Sequence, residues 1–306
     1  MKIKISIGIL LFCLSYLQII LPKPWTNFWS LSFFYVLFAL GIILICESIT
    51  NKLAKESLLN NIIHNKKTLF RFILVSAIGG LGLDGIAQWL GKLWFYPYYS
   101  LFIYSISFVG GFALYWLVIA ESYLAVKLII NFLRKGKKTV TKYFKFEAVF
   151  FKAIGIIGAF LIPLAVFLIL REYTIQGGYI FSISPIIYKA NFWYIMLSFF
   201  GIWFLLEFAE YAQRKTSLLK NIFHRNFIPL LSIVIASFAL SITMEAQNII
   251  HGYWVYLNWP IENIKLLGLP LFMILAWPFH YIAFLSLFRA ATGAMSDEIW
   301  SGDKIK

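Results

Sequence analysis

The strongest constraint on the fold is a series of eight long apolar stretches spread along the whole chain. They lie at about 3–21, 31–48, 70–90, 101–126, 148–170, 192–211, 227–249 and 266–288. A helix needs about 20 mostly apolar residues to cross the hydrocarbon core of a bilayer, so each stretch is long enough to span a membrane. Only 13% of the residues are charged, which is far below the proportion in soluble domains. The sequence therefore predicts an all-α, polytopic membrane helical bundle.

The distribution of basic residues predicts how this bundle is oriented. With eight spans, most of the 27 Lys and Arg residues fall on the side of the N-terminus. The other side receives only Lys23, Lys92, Arg171, Lys189 and Lys265. Loops rich in Lys and Arg remain in the cytoplasm, so both termini are predicted to be cytoplasmic, with the inner membrane of a bacterium as the expected location. Membrane topology explains the net charge of +14, and no nucleic-acid partner is expected.

An internal duplication is visible when the chain is compared with itself at an offset of 160 residues. Residues 55–64 then match residues 215–224 at seven of ten positions. The same offset pairs Trp94 with Trp254 and Tyr96 with Tyr256. We predict two parallel four-helix repeats, 1–140 and 141–306, joined by a basic linker at 134–138. Repeats of this kind are related by an axis along the membrane normal, and their substrate site commonly lies between them.

Two carboxylates within the spans are the main candidates for function. Asp84 and Glu245 each lie late in the third span of a repeat, and an ionisable group inside a membrane is costly enough to need a reason. Gln88 and Asn248 follow at helical spacing, so a polar stripe is expected. If the helices continued, each acid would lie about 15 Å below the tryptophan that follows it. The structural alternative is a hydrogen bond or a helix contact.

Glycines and boundary carboxylates have simpler interpretations. The glycine-rich segment 79–85 around Asp84 would let another helix, or a flat ligand, approach the backbone. Glu47 and Glu207 close the second span of each repeat at the basic side, where we expect them to reach water and pair with Lys or Arg.

Aromatic segments follow both candidate acids and predict an aromatic binding site. Each contains a Trp-x-Tyr sequence preceded by a glycine, Gly91 or Gly252. His251 could relay protons, although a histidine at an interface is more often merely solvated. The residues predicted to contact a substrate are Trp94, Tyr96, Trp254, Tyr256, Trp277 and His280.

Motifs for metal, nucleotide and acyl-transfer chemistry are missing from the sequence. It contains no His-Glu-x-x-His helix, no aspartate-rich diphosphate motif, no P-loop and no nucleophile elbow. The two cysteines, Cys13 and Cys46, lie in apolar stretches and suggest neither a disulfide nor a metal site. We therefore expect no metal and no cofactor, and a hydrophobic, lipid-like substrate together with membrane lipids as partners.

These segments resemble the integral-membrane lycopene cyclase domain of carotenoid biosynthesis. The resemblance rests on Asp84-x-x-Ala87-x-x-x-Gly91-x-x-Trp94-x-Tyr96, on Glu245 followed by Gly252-x-Trp254-x-Tyr256, and on Leu267-Gly268-Leu269-Pro270-Leu271. In that family two glutamates follow Pro-Leu, whereas Phe272 and Met273 stand here. A diverged relative with another hydrophobic substrate is therefore expected rather than an orthodox cyclase.

The resemblance implies acid chemistry on a carotenoid or another isoprenoid lipid. Asp84 or Glu245 would protonate a carbon–carbon double bond, Gln88, Asn248 and His251 would position the acid, and aromatic faces would stabilise the carbocation. Two other functions remain open. The first is a transporter that moves a solute or lipid through a site between the repeats, and the second is a non-catalytic membrane scaffold.

Overall fold

The described part of the chain is a bundle of helices. A computed structural model describes residues 2–20, 28–55, 58–134, 145–177 and 191–292. The helices are α1 (Lys2–Ser15), α2 (Phe28–Ala54), α3 (Leu58–His64), α4 (Lys66–Gly79), α5 (Leu101–Leu133), α6 (Glu147–Gln176), α7 (Phe192–Ala212), α8 (Leu218–Phe223), α9 (Ile228–His251) and α10 (Leu271–Thr292). A 3₁₀ turn, Tyr16–Ile20, extends α1, and π-helical turns, Gly80–Asp84 and Ile86–Leu90, extend α4.

Eight helical segments among the described residues are long and apolar enough to cross a membrane. They confirm the all-α bundle of eight spans. The predicted basic linker lies outside the described residues after Arg134, as does the C-terminal tail from residue 293.

Each half of the bundle begins with a close helix crossing built on two glycines. A Cβ atom added to Gly41 on α2 would lie 2.9 Å from the carbonyl oxygen of Gly8 on α1. One added to Gly158 on α6 would lie 2.8 Å from the carbonyl oxygen of Gly201 on α7. Only glycine lets two backbones approach this closely. The same crossing in both halves agrees with the duplication in the sequence.

Two short strands join the halves at the end opposite the basic loops. Strand β1 (Trp94–Phe95) pairs antiparallel with β2 (Val255–Tyr256), so that Phe95 lies opposite Val255. These two residues are equivalent in the repeat, being 160 positions apart. A two-fold axis exchanges equivalent residues of the two repeats and reverses the strand direction. It therefore pairs the two strands antiparallel, with equivalent residues opposite each other at the centre. The register therefore places the axis that relates the repeats between Phe95 and Val255. A second hairpin, β3 (Lys265–Leu266) with β4 (Leu269–Pro270), leads into α10.

Two of the glycines near Asp84, Gly79 and Gly80, serve helix packing. A Cβ atom on Gly79 would lie 2.5 Å from Leu287 of α10, and one on Gly80 would lie 2.6 Å from the Phe112 ring of α5. The segment is therefore held between two other spans, as expected for a close approach of helices.

The boundary carboxylates differ from the prediction that they reach water. Glu47 is 1% exposed and Glu207 is fully buried, although Glu47 does pair with Lys4 at 3.4 Å. Glu207 accepts hydrogen bonds from the backbone N–H of Leu219 at 3.1 Å and from the indole of Trp203 at 3.0 Å. Its side chain turns inward because the first N–H groups of α8 have no partner within that helix.

Candidate functional site

A cavity of about 720 Å³ lies within the bundle and has both candidate acids on its wall. Side chains of α2, α5, α7, α9 and α10 surround it, together with the loops that carry β1 and β2. Asp84 and Glu245 are each 4% exposed. The two carboxylates from equivalent spans of the repeats thus face one chamber, whose size is typical of small-molecule sites.

Glu245 is held by three hydrogen-bond donors. Its Oε1 accepts from the Tyr256 hydroxyl and, at 3.2 Å, from the Trp254 indole, while its Oε2 accepts from the Asn248 amide at 3.1 Å. The Trp254 indole also donates to the Tyr256 oxygen at 2.9 Å. The carboxylate therefore has one orientation, and each donor is itself oriented by the others.

Asp84 lies among tyrosines. Burial, followed by the negative charge of Asp84, raises the pKa of Tyr99 to about 12. The same two causes also raise the pKa of Tyr96. Tyr115 on α5 lies within electrostatic reach of both Asp84 and Glu245. Phenols with raised pKa values stay protonated at neutral pH, so Tyr96 and Tyr99 are neutral groups of the cavity wall.

A backbone turn brings the second aromatic segment onto Glu245. Helix α9 ends where Gly252 adopts a φ of +64°, a left-handed conformation that glycine adopts without strain. The Asn248 side chain then accepts a hydrogen bond from the Trp254 backbone N–H at 2.9 Å. The expected separation of about 15 Å between acid and tryptophan is wrong for this repeat, because the helix does not continue. The chain folds back, and Trp254 contacts the acid directly.

All six residues predicted to contact a substrate line the cavity. They are Trp94, Tyr96, Trp254, Tyr256, Trp277 and His280. The imidazole of His280 stacks on Phe284, with ring centroids 4.3 Å apart. The structure thus brings together aromatic residues from both repeats around the two acids.

Two of the residues predicted to position the acids lie elsewhere. Gln88 is buried but does not line the cavity, and its side-chain amide has no hydrogen-bond partner among the described residues. His251 is also absent from the wall, and its Nε2–H donates to the Gln18 carbonyl at 2.6 Å. The π-helical turns after α4 change the register of Gln88, while the end of α9 directs His251 toward the turn that follows α1. Asn248 alone contacts its predicted acid.

Sequence reasoning missed several residues of the wall. Tyr35 on α2 and Tyr115 on α5 lie within apolar spans. A buried hydroxyl group within a span needs a partner, and this signal could have identified both tyrosines. Other wall residues gave no distinct signal, because aromatic side chains are common throughout the chain. They include Trp193, Met196, Phe199, Trp203 and Trp259.

Among the described ranges, no cluster of three or more His, Cys, Asp or Glu side chains could hold a metal ion. The groups that the chain itself offers at the cavity are two carboxyl groups, several phenols and many aromatic faces. Such a set can donate and accept protons and stabilise a cation.

Comparisons with protein-family models, with curated proteins and with solved structures returned no match for this chain. The resemblance to the lycopene cyclase domain therefore remains a prediction from the motifs alone.

Proposed function

We propose that this multi-pass membrane protein is a cofactor-independent enzyme that protonates a double bond of a carotenoid or another isoprenoid lipid. The observation that carries the proposal is the placement of Asp84 and Glu245 on the wall of one aromatic cavity. An apolar chamber with a few convergent polar groups is typical of a site for a hydrophobic ligand.

The hydrogen bonds favour different roles for the two acids. Three donors point at the oxygens of Glu245, and an ionised carboxylate is the form that accepts at every lone pair. Glu245 is therefore the charged member and stabilises positive charge in the chamber. Asp84, the other carboxyl group on the wall, is the proton donor. Two carboxyl groups in one active site commonly take different roles, one as acid and one as base or charge stabiliser.

The reaction balances without a redox partner. Asp84 gives its proton to a terminal double bond, and a tertiary carbocation forms. The next double bond attacks this carbon, which closes a ring and moves the positive charge along the chain. Glu245 then takes a proton from the neighbouring carbon, and a new double bond forms. The product is an isomer of the substrate, and a proton returns from Glu245 to Asp84 between turnovers. Faces of Trp94, Trp254 and Trp277 stabilise the cation.

The test is expression of the chain in a bacterial host that accumulates lycopene, followed by chromatography and mass spectrometry of the pigments. The wild type should yield a product of unchanged mass and altered retention, or a product with one added water. Asp84→Asn should abolish it, because the amide cannot donate a proton as an acid. Glu245→Gln should reduce it strongly.

Glu262→Gln is the matched control, since Glu262 is an exposed carboxylate in the loop after β2. This variant should retain the product at the wild-type level. Unchanged lycopene in well-expressed, membrane-inserted wild-type protein would refute the carotenoid substrate. A product that survives in Asp84→Asn would refute the assignment of the proton donor.

The two-fold relation of the halves also supports transport as a second candidate. The strand register places the axis between the repeats, and both repeats contribute to the cavity wall. Transporters with parallel repeats have their site in this position. Movement of an unmodified solute or lipid across proteoliposomes, lost in Asp84→Asn, would favour transport over catalysis.

A further inference from the structure

On α7 and α10, three residues of the cavity wall are also part of the outer surface of the bundle. Trp193 on α7 is 59% exposed, and Leu275 and Phe279 on α10 are 53% and 49% exposed. All three line the chamber as well. They lie in membrane-spanning helices, so their exposed surfaces contact lipid. The wall between α7 and α10 is therefore thin, and one layer of side chains separates the chamber from the bilayer.

The loops close the chamber at the end where the strands pair. The Leu93 carbonyl accepts hydrogen bonds from the backbone N–H of Leu257 and from the indole of Trp259, both at 2.9 Å. The Asn258 amide donates to the Lys92 carbonyl at 3.0 Å. These bonds tie the two loops together across the repeat axis. A ligand entering from water at this end would have to break several of them.

We propose that substrate enters the cavity sideways from the bilayer, through a portal between α7 and α10 that is bordered by Trp193, Leu275 and Phe279. The site is then specific for molecules dissolved in the hydrocarbon core, with an apolar chain end that passes between two helices. The inference rests on the proposed function only for the identity of the reacting molecule. Entry from the bilayer is inferred from the lipid-exposed residues of the cavity wall, whatever reaction the site carries out.

Phe279 is the movable part of the portal. Its ring packs edge-to-face against Phe200 of α7, with centroids 5.6 Å apart, and this contact joins the two helices beside the chamber. The rest of the Phe279 side chain has lipid on its outer face, so a rotamer change would open the gap without moving a helix. Rotamer changes of exposed side chains take place in picoseconds to nanoseconds.

A glycine on another helix of the wall provides a way to fill the chamber. Gly111 on α5 lines the cavity, and a Cβ atom added there meets no atom of the described side chains within 4 Å. Gly111→Phe should therefore occupy the chamber with little disturbance of the helix packing. Gly82 offers a matched control, because it is exposed, lies outside the cavity wall and has no atom of the described ranges within 4 Å of an added Cβ.

The experiment uses the full-length protein in lipid nanodiscs and a C20 isoprenoid alcohol that carries a diazirine. After irradiation, labelled residues are identified by mass spectrometry. Wild-type protein should be labelled at the inner wall, at Met196 and Tyr115. Labelling there should fall about tenfold in Gly111→Phe, because the added ring occupies space that the probe would fill, and should be unchanged in Gly82→Phe. Phe279→Ala should be labelled faster at the inner wall than the wild type.

Several outcomes would overturn the portal. Labels confined to the lipid-facing surface of the wild type would do so, as would equal rates of inner labelling in Phe279→Ala and wild type. Equally rapid labelling by a small water-soluble diazirine would indicate entry from water instead. Labelling does not require turnover, so inner labels in a protein that leaves lycopene unchanged would support the portal and refute the proposed reaction.

Discussion

Replacing Glu245 with Gln should lower the free energy of unfolding, because the site contains only donors that face the carboxylate. Tyr256 and Trp254 donate to Oε1, and Asn248 donates to Oε2. The Asn248 amide cannot reverse its orientation, since its oxygen already accepts from the Trp254 backbone. Whichever way the new amide turns, its NH₂ group meets at least one donor.

The expected cost follows from the number of unsatisfied groups. In the better orientation, the oxygen of the introduced glutamine keeps the two bonds at the Oε1 position, and its NH₂ faces the Asn248 NH₂. Leaving one such buried pair unsatisfied costs about 1–3 kcal/mol. The overall fold should persist, because the change is isosteric and no cavity is created.

A second substitution tests this reasoning directly. Asn248→Asp replaces the opposing NH₂ with an oxygen, so in the double variant the new carboxylate accepts both from the Trp254 backbone and from the NH₂ of the introduced glutamine. Asn248→Asp alone should be destabilising, because it places a second carboxylate beside Glu245, where the amide nitrogen now lies 3.1 Å from Oε2. The double variant should be more stable than the sum of the two single effects by about 1 kcal/mol or more.

The assay is equilibrium unfolding of the purified protein in mixed micelles, monitored by tryptophan fluorescence, for the wild type, both single variants and the double variant. Additive losses within experimental error would show that Asn248 and Glu245 do not interact. A Glu245→Gln variant as stable as the wild type would refute the hydrogen-bond network itself.

Three further predictions concern stability. Arg289 and Glu210 form a buried ion pair at 3.1 Å, so Arg289→Met should cost about 3–5 kcal/mol in the same assay by leaving a buried charge alone, and full stability would contradict the pair. Burial lowers the pKa of Lys92 from 10.5 to about 8, so the unfolded chain binds more protons within this interval. Stability should therefore rise as the pH increases from about 8 to 10.5, and this slope should be absent in Lys92→Met. Gly158→Ala should lower the melting temperature, because the added methyl group would lie 2.8 Å from the Gly201 carbonyl oxygen, and an unchanged value would mean that the two helices can separate without cost.

The sequence was sufficient for the membrane-spanning helices and for the symmetry of the two repeats. Apolar stretches of about 20 residues predict spans because lipid requires every backbone polar group to be bonded within the helix, whatever the neighbours are. The duplication predicted equivalent acids, and Asp84 and Glu245 do lie on one cavity wall. Local rules of this kind depend only on the residues of one segment and on the solvent around it.

The contacts of the site were decided by tertiary structure. Helical spacing placed Gln88 beside Asp84, and the family resemblance implied a positioning role for His251, yet neither residue lines the cavity. A membrane helix is apolar on every side, so its periodicity does not reveal which face turns inward. Tyr35 and Tyr115 reach the chamber from spans far from the acids in sequence.

The contact between Glu245 and Trp254 also depends partly on the local sequence and partly on the tertiary structure. Its parts are visible in the sequence, as an acid, a glycine and a Trp-x-Tyr segment at a fixed spacing. The direction of the chain after Gly252 is not visible, because it depends on a left-handed turn, on a hydrogen bond to Asn248 and on the pairing of β2 with β1 from the other repeat. The sequence thus determined which groups each span and each turn of the membrane protein carries, while packing between the repeats decided which of them meet, since that depends on contacts between residues distant in the chain.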